Sequence, residues 1–207
     1  MDPPNANTMY LSPVTENEIL NIVKQCKSKN SEDVNNLSMT IIKYIIKAVV
    51  KPFNTICNLS FNTGSVPDGM KVSKIVPLFK SGDKTIFTNY RPVALLPQFS
   101  KILEKLFCKR LNSFIDKHNL LSENQYGFRS NRSTSHALLD LVEEITKAND
   151  NNKYTIGGFV DLRKAFDTID HELLLITLPN LGIRGQIIIK MIENNMCHFI
   201  IHHLLYC

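Results

Sequence analysis

What the sequence lacks narrows its class before any motif is read. Its 207 residues hold no internal repeat, no low-complexity tract and no Cys-x-x-Cys. A membrane-spanning helix needs roughly 20 apolar residues in succession. The longest apolar stretches, around residues 40–50 and 199–206, are too short or are broken by Lys43 and Lys47, so no span is expected. The opening Met1-Asp2-Pro3-Pro4 has none of the basic-then-apolar order of a secretory leader. A soluble intracellular protein is expected; with no clear nuclear signal, nucleus and cytoplasm both stay open. The cysteines, Cys26, Cys57, Cys108, Cys197 and Cys207, are odd in number and scattered, which argues for reduced thiols and against a disulfide framework. With 43% hydrophobic and 21% charged residues, the chain suits one compact domain or two small ones, not a disordered tail.

What is present is an uneven charge. The net charge is +5, yet residues 71–135 carry twelve Lys or Arg against four Asp or Glu, a local +8 that leaves −3 elsewhere. A concentrated basic segment suits a polyanion such as nucleic acid or a nucleotide phosphate. A solvated, Lys-rich helix surface would produce the same count.

Periodicity and capping signals place the elements. Thr15-Glu16-Asn17-Glu18 is a capping box that starts a helix over residues 16–26, with Ile19, Ile22, Val23 and Cys26 inward. A second helix carries Leu37, Ile41, Tyr44, Ile45 and Ala48 on one face, and Pro52 suits the first turn of a third that ends near Gly64. Residues 74–80 and 91–96 are β-rich runs around the turn residues Ser81-Gly82-Asp83, and they predict a hairpin whose tip carries Lys80 and Lys84. Ser100 is expected to cap a long helix with Leu103, Phe107, Leu111 and Phe114 on its stripe. Ser122-Glu123-Asn124-Gln125 is another capping-box pattern, and Ser133 or Thr134 starts a helix with Leu138, Leu141, Val142 and Ile145 inward. Residues 154–162 read as a strand weakened by Gly157 and Gly158, and residues 164–176 as turn then helix. The expected class is α+β, with helices outnumbering strands.

The chemistry centres on Phe159-Val160-Asp161-Leu162-Arg163-Lys164-Ala165-Phe166-Asp167. Asp161 ends an apolar run, where its carboxylate could hold a divalent cation for phosphoryl transfer. Equally, it could simply cap the next helix.

Four stretches taken together resemble the reverse transcriptase of non-LTR (LINE-like, jockey-type) retrotransposons. They are Lys74-Ile75-Val76-Pro77-Leu78-Phe79-Lys80-Ser81-Gly82-Asp83, then Asn89-Tyr90-Arg91-Pro92-Val93-Ala94-Leu95-Leu96 with Ser100-Lys101-Ile102-Leu103-Glu104-Lys105, then Gln125-Tyr126-Gly127-Phe128-Arg129 with Arg132-Ser133-Thr134, and last Phe159-Val160-Asp161-Leu162 with Ala165-Phe166-Asp167-Thr168-Ile169-Asp170-His171. The likeness runs from about residue 12 to 185. It implies a partial right-hand polymerase: residues 1–70 as a helical segment preceding the fingers, 71–152 as fingers and adjoining palm helices, and 153–207 as a partial palm with a divergent end. It implies that Asp161 is the first metal-binding, catalytic aspartate, with Mg²⁺ as cofactor in the intact enzyme. Phe166 would screen the sugar 2′ position. Arg91 would hold the incoming triphosphate, assisted by Lys80 or Lys84 as a point charge. Arg129 and Arg132 would touch template or primer backbone, with a solvated loop as the alternative. Asp167, Asp170 and His171 would order the chain behind the metal site. The implied partners are an RNA template, a DNA primer and dNTPs, with no membrane.

The family's second acidic element, an aromatic-x-Asp-Asp hairpin, has no counterpart here, since no Asp follows Asp170. The palm is therefore expected to be incomplete and the thumb absent, and the 207 residues alone are expected not to polymerise, because one aspartate cannot position two cations. A fragment from a truncated or frame-shifted copy would have this pattern. A non-catalytic nucleic-acid-binding remnant, an inert relic with uncovered apolar faces, and a group II intron-type maturase fragment are the other readings. Cys197, His198, His202, His203 and Cys207 could in principle ligate zinc, though their spacing is not that of a finger.

Overall fold

A computed structural model gives the fold and describes residues 6–127, 129, 131–161, 170–185, 188 and 190. In chain order the elements are α1 (Glu16–Gln25), α2 (Met39–Thr63), β1 (Lys74–Phe79), β2 (Tyr90–Leu95), α3 (Gln98–Lys117), α4 (Thr134–Asp150) and α5 (His171–Asn180). The core lies between α1, α2 and α3, and Leu174 and Leu178 of α5, with Ile183, extend it. The amide of Met9 donates to the Gly182 carbonyl (2.9 Å) and ties the N-terminal arm to the turn after α5.

α1 starts as the capping signal requires, with the Glu18 amide donating to the Thr15 hydroxyl at 3.2 Å. The other half of the box is not made, because the Glu18 side chain turns to α3. Two helices expected across residues 37–64 are one helix of 25 residues, α2, with Pro52 inside it. An internal proline costs a helix about 3 kcal/mol. The helix continues because Met39, Ile42, Ile46, Val50, Phe53, Cys57 and Phe61 form one buried face on both sides of it. That face is rotated from the expected one: Tyr44 is 83% exposed. Gly64 ends the helix with φ of 71°, in the left-handed region that favours glycine.

α3 begins at Gln98, two residues before the expected cap. Ser100 is instead buried inside the helix, and its hydroxyl donates to the Met70 carbonyl at 2.5 Å. The expected stripe of Leu103, Phe107, Leu111 and Phe114 is buried. Arg110 lies on the same stripe and is 9% exposed. Its Nε donates to the Ser12 carbonyl (2.8 Å), Nη2 to the Pro13 carbonyl (3.1 Å), and Nη1 to the Leu106 carbonyl (2.8 Å). Both terminal nitrogens also meet the Glu18 carboxylate, at 3.2 and 3.0 Å. Lys109 joins Glu18 at 3.2 Å. One guanidinium thus holds the arm, α1 and α3 together.

The hairpin forms as the sequence predicts, and its antiparallel register pairs Lys74 with Leu95 through Phe79 with Tyr90. Lys80 donates to the Asn89 carbonyl at 2.8 Å, so the Lys80–Asn89 pair is hydrogen-bonded and alternate pairs inward repeat it. The Pro77–Pro92 pair then falls at a non-hydrogen-bonded position. Neither proline removes a ladder bond, and each denies an outer edge one donor.

The second half departs from expectation. α4 forms and Ser133 caps it, but the stripe expected inward is uncovered: Leu138, Leu141 and Val142 are 62%, 44% and 53% exposed. Residues 154–161, expected as a strand, have no regular structure, and Tyr154, Ile156, Phe159 and Val160 are almost fully exposed. A strand needs a neighbour for its backbone groups, and no described strand lies beside this run. Residues 122–125 form a turn, not a helix start. Asp170 caps α5, its carboxylate accepting from the Glu172 and Leu173 amides. Cys26, Cys57 and Cys108 are buried and unbridged, and burial pushes the Cys57 thiol up to about 12. The tail cysteines and histidines lie outside the described residues.

Two stability predictions follow from the half-buried acids Glu18 and Glu104. Burial alone would raise the Glu18 carboxyl, but hydrogen bonds and charge from Arg110 and Lys109 outweigh it and hold it below the ordinary carboxylate range. Its contribution is present above the unfolded pKa and is lost as pH falls through the lower folded value. Arg110→Met should cost about 3 kcal/mol at pH 7 by denaturant melts, and Glu18→Gln should flatten the fall in Tm below pH 5. Glu104 has the opposite sign: burial raises its carboxyl to about 7, against the nearby Lys101. Stability from its protonated form is complete below the unfolded value and is lost as pH rises towards 7, so Glu104→Gln should raise Tm at pH 8 and leave it unchanged at pH 4.

Candidate nucleotide and nucleic-acid site

The hairpin is rooted in the core at both ends. Ser100 fixes Met70 before β1, and the amide of Gln98 after β2 donates to the buried Asp33 carboxylate at 2.7 Å. Its tip is ordered from within. Gly82 takes φ of +91°. The Asp83 carboxylate accepts from the Thr85 amide (2.9 Å) and hydroxyl (2.8 Å), which lower its pKa. The Asn89 side-chain amide donates to the Asp83 carbonyl at 2.8 Å.

Strand alternation sorts the cations of this hairpin. Arg91 pairs across the ladder with Leu78, so it shares a face with Leu78, Val76 and Val93. Lys80 continues that face, two residues on from Leu78. Arg91 and Lys80 are both exposed, and neither makes a side-chain ion pair among the described residues. Phe79 and Tyr90 occupy the opposite face with ring centroids 5.4 Å apart. Lys84 belongs there: its ammonium lies 5.7 Å from the Phe79 centroid, and its carbonyl accepts from the Tyr90 hydroxyl at 2.9 Å. The hairpin thus brings Arg91 and Lys80 together and sets Lys84 apart.

Arg129 and Arg132 lie in the loop between α3 and α4, and both are engaged within it. Arg129 Nη1 donates to the Ser122 carbonyl (2.8 Å), and Arg132 Nη1 to the Glu123 carbonyl (2.9 Å). The Arg132 guanidinium stacks over Tyr126 at 5.3 Å, and the Tyr126 hydroxyl donates to Asp140 of α4. Asp161 is exposed and makes no hydrogen bond or ion pair among the described residues. Phe166 and Asp167 lie outside the described residues. No group of three or more metal-ligating side chains occurs among those described. A cavity of about 540 Å³ lies elsewhere, between the N-terminal arm and α3, beside Glu18, Lys109 and Arg110.

Motif reading missed Asp33 and Arg110, and it placed Glu18 and Glu123 in capping boxes where the structure pairs them with arginines. Arg110 carried a signal: it stands three residues after Phe107 and four after Leu106, on the apolar stripe, where a charge requires a partner.

Residues 80–203 match the family model described as reverse transcriptase (RNA-dependent DNA polymerase). Among curated proteins, the chain is 27% identical over 176 residues to the probable RNA-directed DNA polymerase from transposon BS of Drosophila melanogaster. It is 29% identical over 176 residues to the RNA-directed DNA polymerase from mobile element jockey of the same species. Each alignment covers 84% of this chain and 19% of the relative. A third relative, from transposon X-element, is 39% identical over 83 residues, 40% of this chain and 9% of the relative. The chain spans about a fifth of the length of the first two relatives. No described helix is long and apolar enough to cross a membrane.

The tip geometry makes a local prediction. A Cβ on Gly82 would sit 2.8 Å from the Asn89 side-chain nitrogen, at a φ that L-residues rarely adopt. Gly82→Ala should break the Asn89–Asp83 bond at a cost of about 1–3 kcal/mol. Hydrogen exchange should quicken at the Lys80 amide, while amides of α3 keep their protection.

Proposed function

The chain belongs to the reverse transcriptase (RNA-dependent DNA polymerase) family, and from that premise we propose that it forms the fingers and the first part of the palm of a non-LTR retrotransposon polymerase. Its mixture of helices and a small sheet is compatible with the polymerase-like fold that membership implies. In this reading residues 1–70 precede the fingers, residues 71–152 form the fingers and adjoining palm helices, and residues 153–207 begin the palm. The parent reaction is in-line attack of a primer 3′-hydroxyl on the α-phosphate of a dNTP opposite an RNA template, with pyrophosphate leaving.

One observation carries the reading: Arg91 and Lys80 lie on one exposed face of a hairpin rooted in the core. A planar guanidinium can take two phosphate oxygens at once, and an ammonium beside it adds a point charge. Neither makes an ion pair among the described residues, so both are open to a triphosphate. Lys84, stacked on Phe79, is the weaker candidate of the two lysines. Asp161 would supply one carboxylate to Mg²⁺, which when bound neutralises charge developing on the phosphate oxygens. Phe166 would stand against the sugar. Arg129 and Arg132 would meet template or primer phosphates. The 207 residues carry no second acidic element, so by themselves they bind but do not polymerise.

Fluorescence anisotropy with a labelled RNA and filter binding with a labelled dNTP test this. RNA affinity should fall steeply with salt and be unchanged by Asp161→Ala. Arg91→Ala should weaken dNTP binding about tenfold or more, the loss of one charge-assisted bidentate contact. In a longer polypeptide that also carries an aromatic-x-Asp-Asp hairpin, Asp161→Ala should lower primer extension about a thousandfold or more. Robust primer extension by the 207 residues alone would overturn the division of roles.

A further inference from the structure

The loop that holds Arg129 and Arg132 also contains an acidic residue to which no role has been given. Glu123 is 74% exposed, yet its carboxylate spans both guanidiniums. One oxygen lies 2.6 Å from Arg132 Nη2, and the other 3.8 Å from Arg129 Nη2. The remaining terminal nitrogens are fixed on the Ser122 and Glu123 carbonyls. The arginine side chains are 15% and 28% exposed, so the loop holds them in place while the acid that joins them stands in solvent. Beside them lies a cavity of about 290 Å³, lined also by Asn119, Asn131 and Asp116.

A carboxylate spanning two guanidiniums presents two oxygens and one negative charge. A backbone phosphodiester presents the same set to the same two cations. Exposed ion pairs are weak, so the exchange is cheap. We propose that Glu123 occupies the position of a nucleic-acid phosphate and is displaced when RNA or DNA backbone binds Arg129 and Arg132. This rests on the nucleic-acid reading above and adds to it a built-in competitor. It also bears on salt dependence: exchanging one anion for another releases fewer counterions than filling an empty cationic site.

The test measures anisotropy of a labelled single-stranded RNA of about 16 nucleotides with the 207-residue chain. Glu123→Gln keeps length and a hydrogen-bond acceptor but removes the charge. Glu144→Gln, at the exposed partner of Lys147 on α4, makes the same change in net charge. Glu123→Gln should bind about three- to tenfold tighter than Glu144→Gln, the range that one or two exposed ion pairs span. Its salt slope should be the steeper. The gain should vanish when Arg129→Gln and Arg132→Gln are added. Where Gln disturbs the loop, Glu123→Ala must gain at least as much. Equal affinity of the two Gln variants, or a gain that survives without the arginines, overturns the inference alone. The same selective gain with inorganic phosphate as the probe overturns the assignment to backbone. If neither wild type nor variant binds RNA, the nucleic-acid reading itself falls, and this inference with it.

Discussion

The packing of the first half depends on one buried guanidinium. Arg110 lies on the apolar stripe of α3, where an unpaired cation would be strongly unfavourable. It collects the carbonyls of Ser12, Pro13 and Leu106 and both oxygens of Glu18, and it stacks over Phe61 of α2 at 5.0 Å. Arm, α1, α2 and α3 therefore meet at one side chain. Hydrophobic burial drives these helices together, but an apolar stripe tolerates several registers. A guanidinium with five fixed donors tolerates few, so α3 has little freedom to slide or rotate against α1.

That fixity is passed to the hairpin. β2 runs into α3 with only two residues between them, and Asp33 and Ser100 pin the chain on both sides of the sheet. A two-stranded ribbon is marginal in isolation. Here its base is anchored in the core, and its tip is closed by Asp83, Asn89 and the Tyr90 hydroxyl. Arg91 and Lys80 ride on a framework whose two ends are both held. Exposed cations that stand clear of a carboxylate need that support, because their own charges supply none.

The sequence was legible where structure is local. The hairpin announced itself through two β-rich runs around Ser81-Gly82-Asp83, because each strand brings its own partner a few residues away. Thr15, Ser133 and Asp170 cap helices with hydroxyl or carboxylate groups, and a cap is decided within one turn. Legibility failed where the deciding contact is distant in sequence. Pro52 looked like a helix start and is instead carried inside α2 by packing on both sides. Ser100 looked like a cap and is instead a buried donor to Met70, thirty residues away. Residues 154–161 have the composition of a strand but no described neighbour to pair with, and composition cannot supply one. The same holds for α4: its periodic stripe, Leu138, Leu141 and Val142, shows which face wants covering and not what covers it.

The site shows a related limit of sequence arithmetic. A local excess of +8 over residues 71–135 suggests one broad cationic footprint. In the fold six of the twelve cations in that segment show three different kinds of situation. Arg110 is consumed by the core, with Lys109 beside it on Glu18. Arg129 and Arg132 are positioned by carbonyls but share one exposed carboxylate. Arg91 and Lys80 face outward with no ion pair among the described residues. Only the last two kinds can serve a polyanion, and they differ in what binding must first undo. In the proposed reading a phosphate meets Arg91 without displacing a carboxylate, whereas a phosphate reaching Arg129 and Arg132 displaces Glu123. The affinity of such a surface is set less by the number of its positive charges than by which of them already hold an anion of their own.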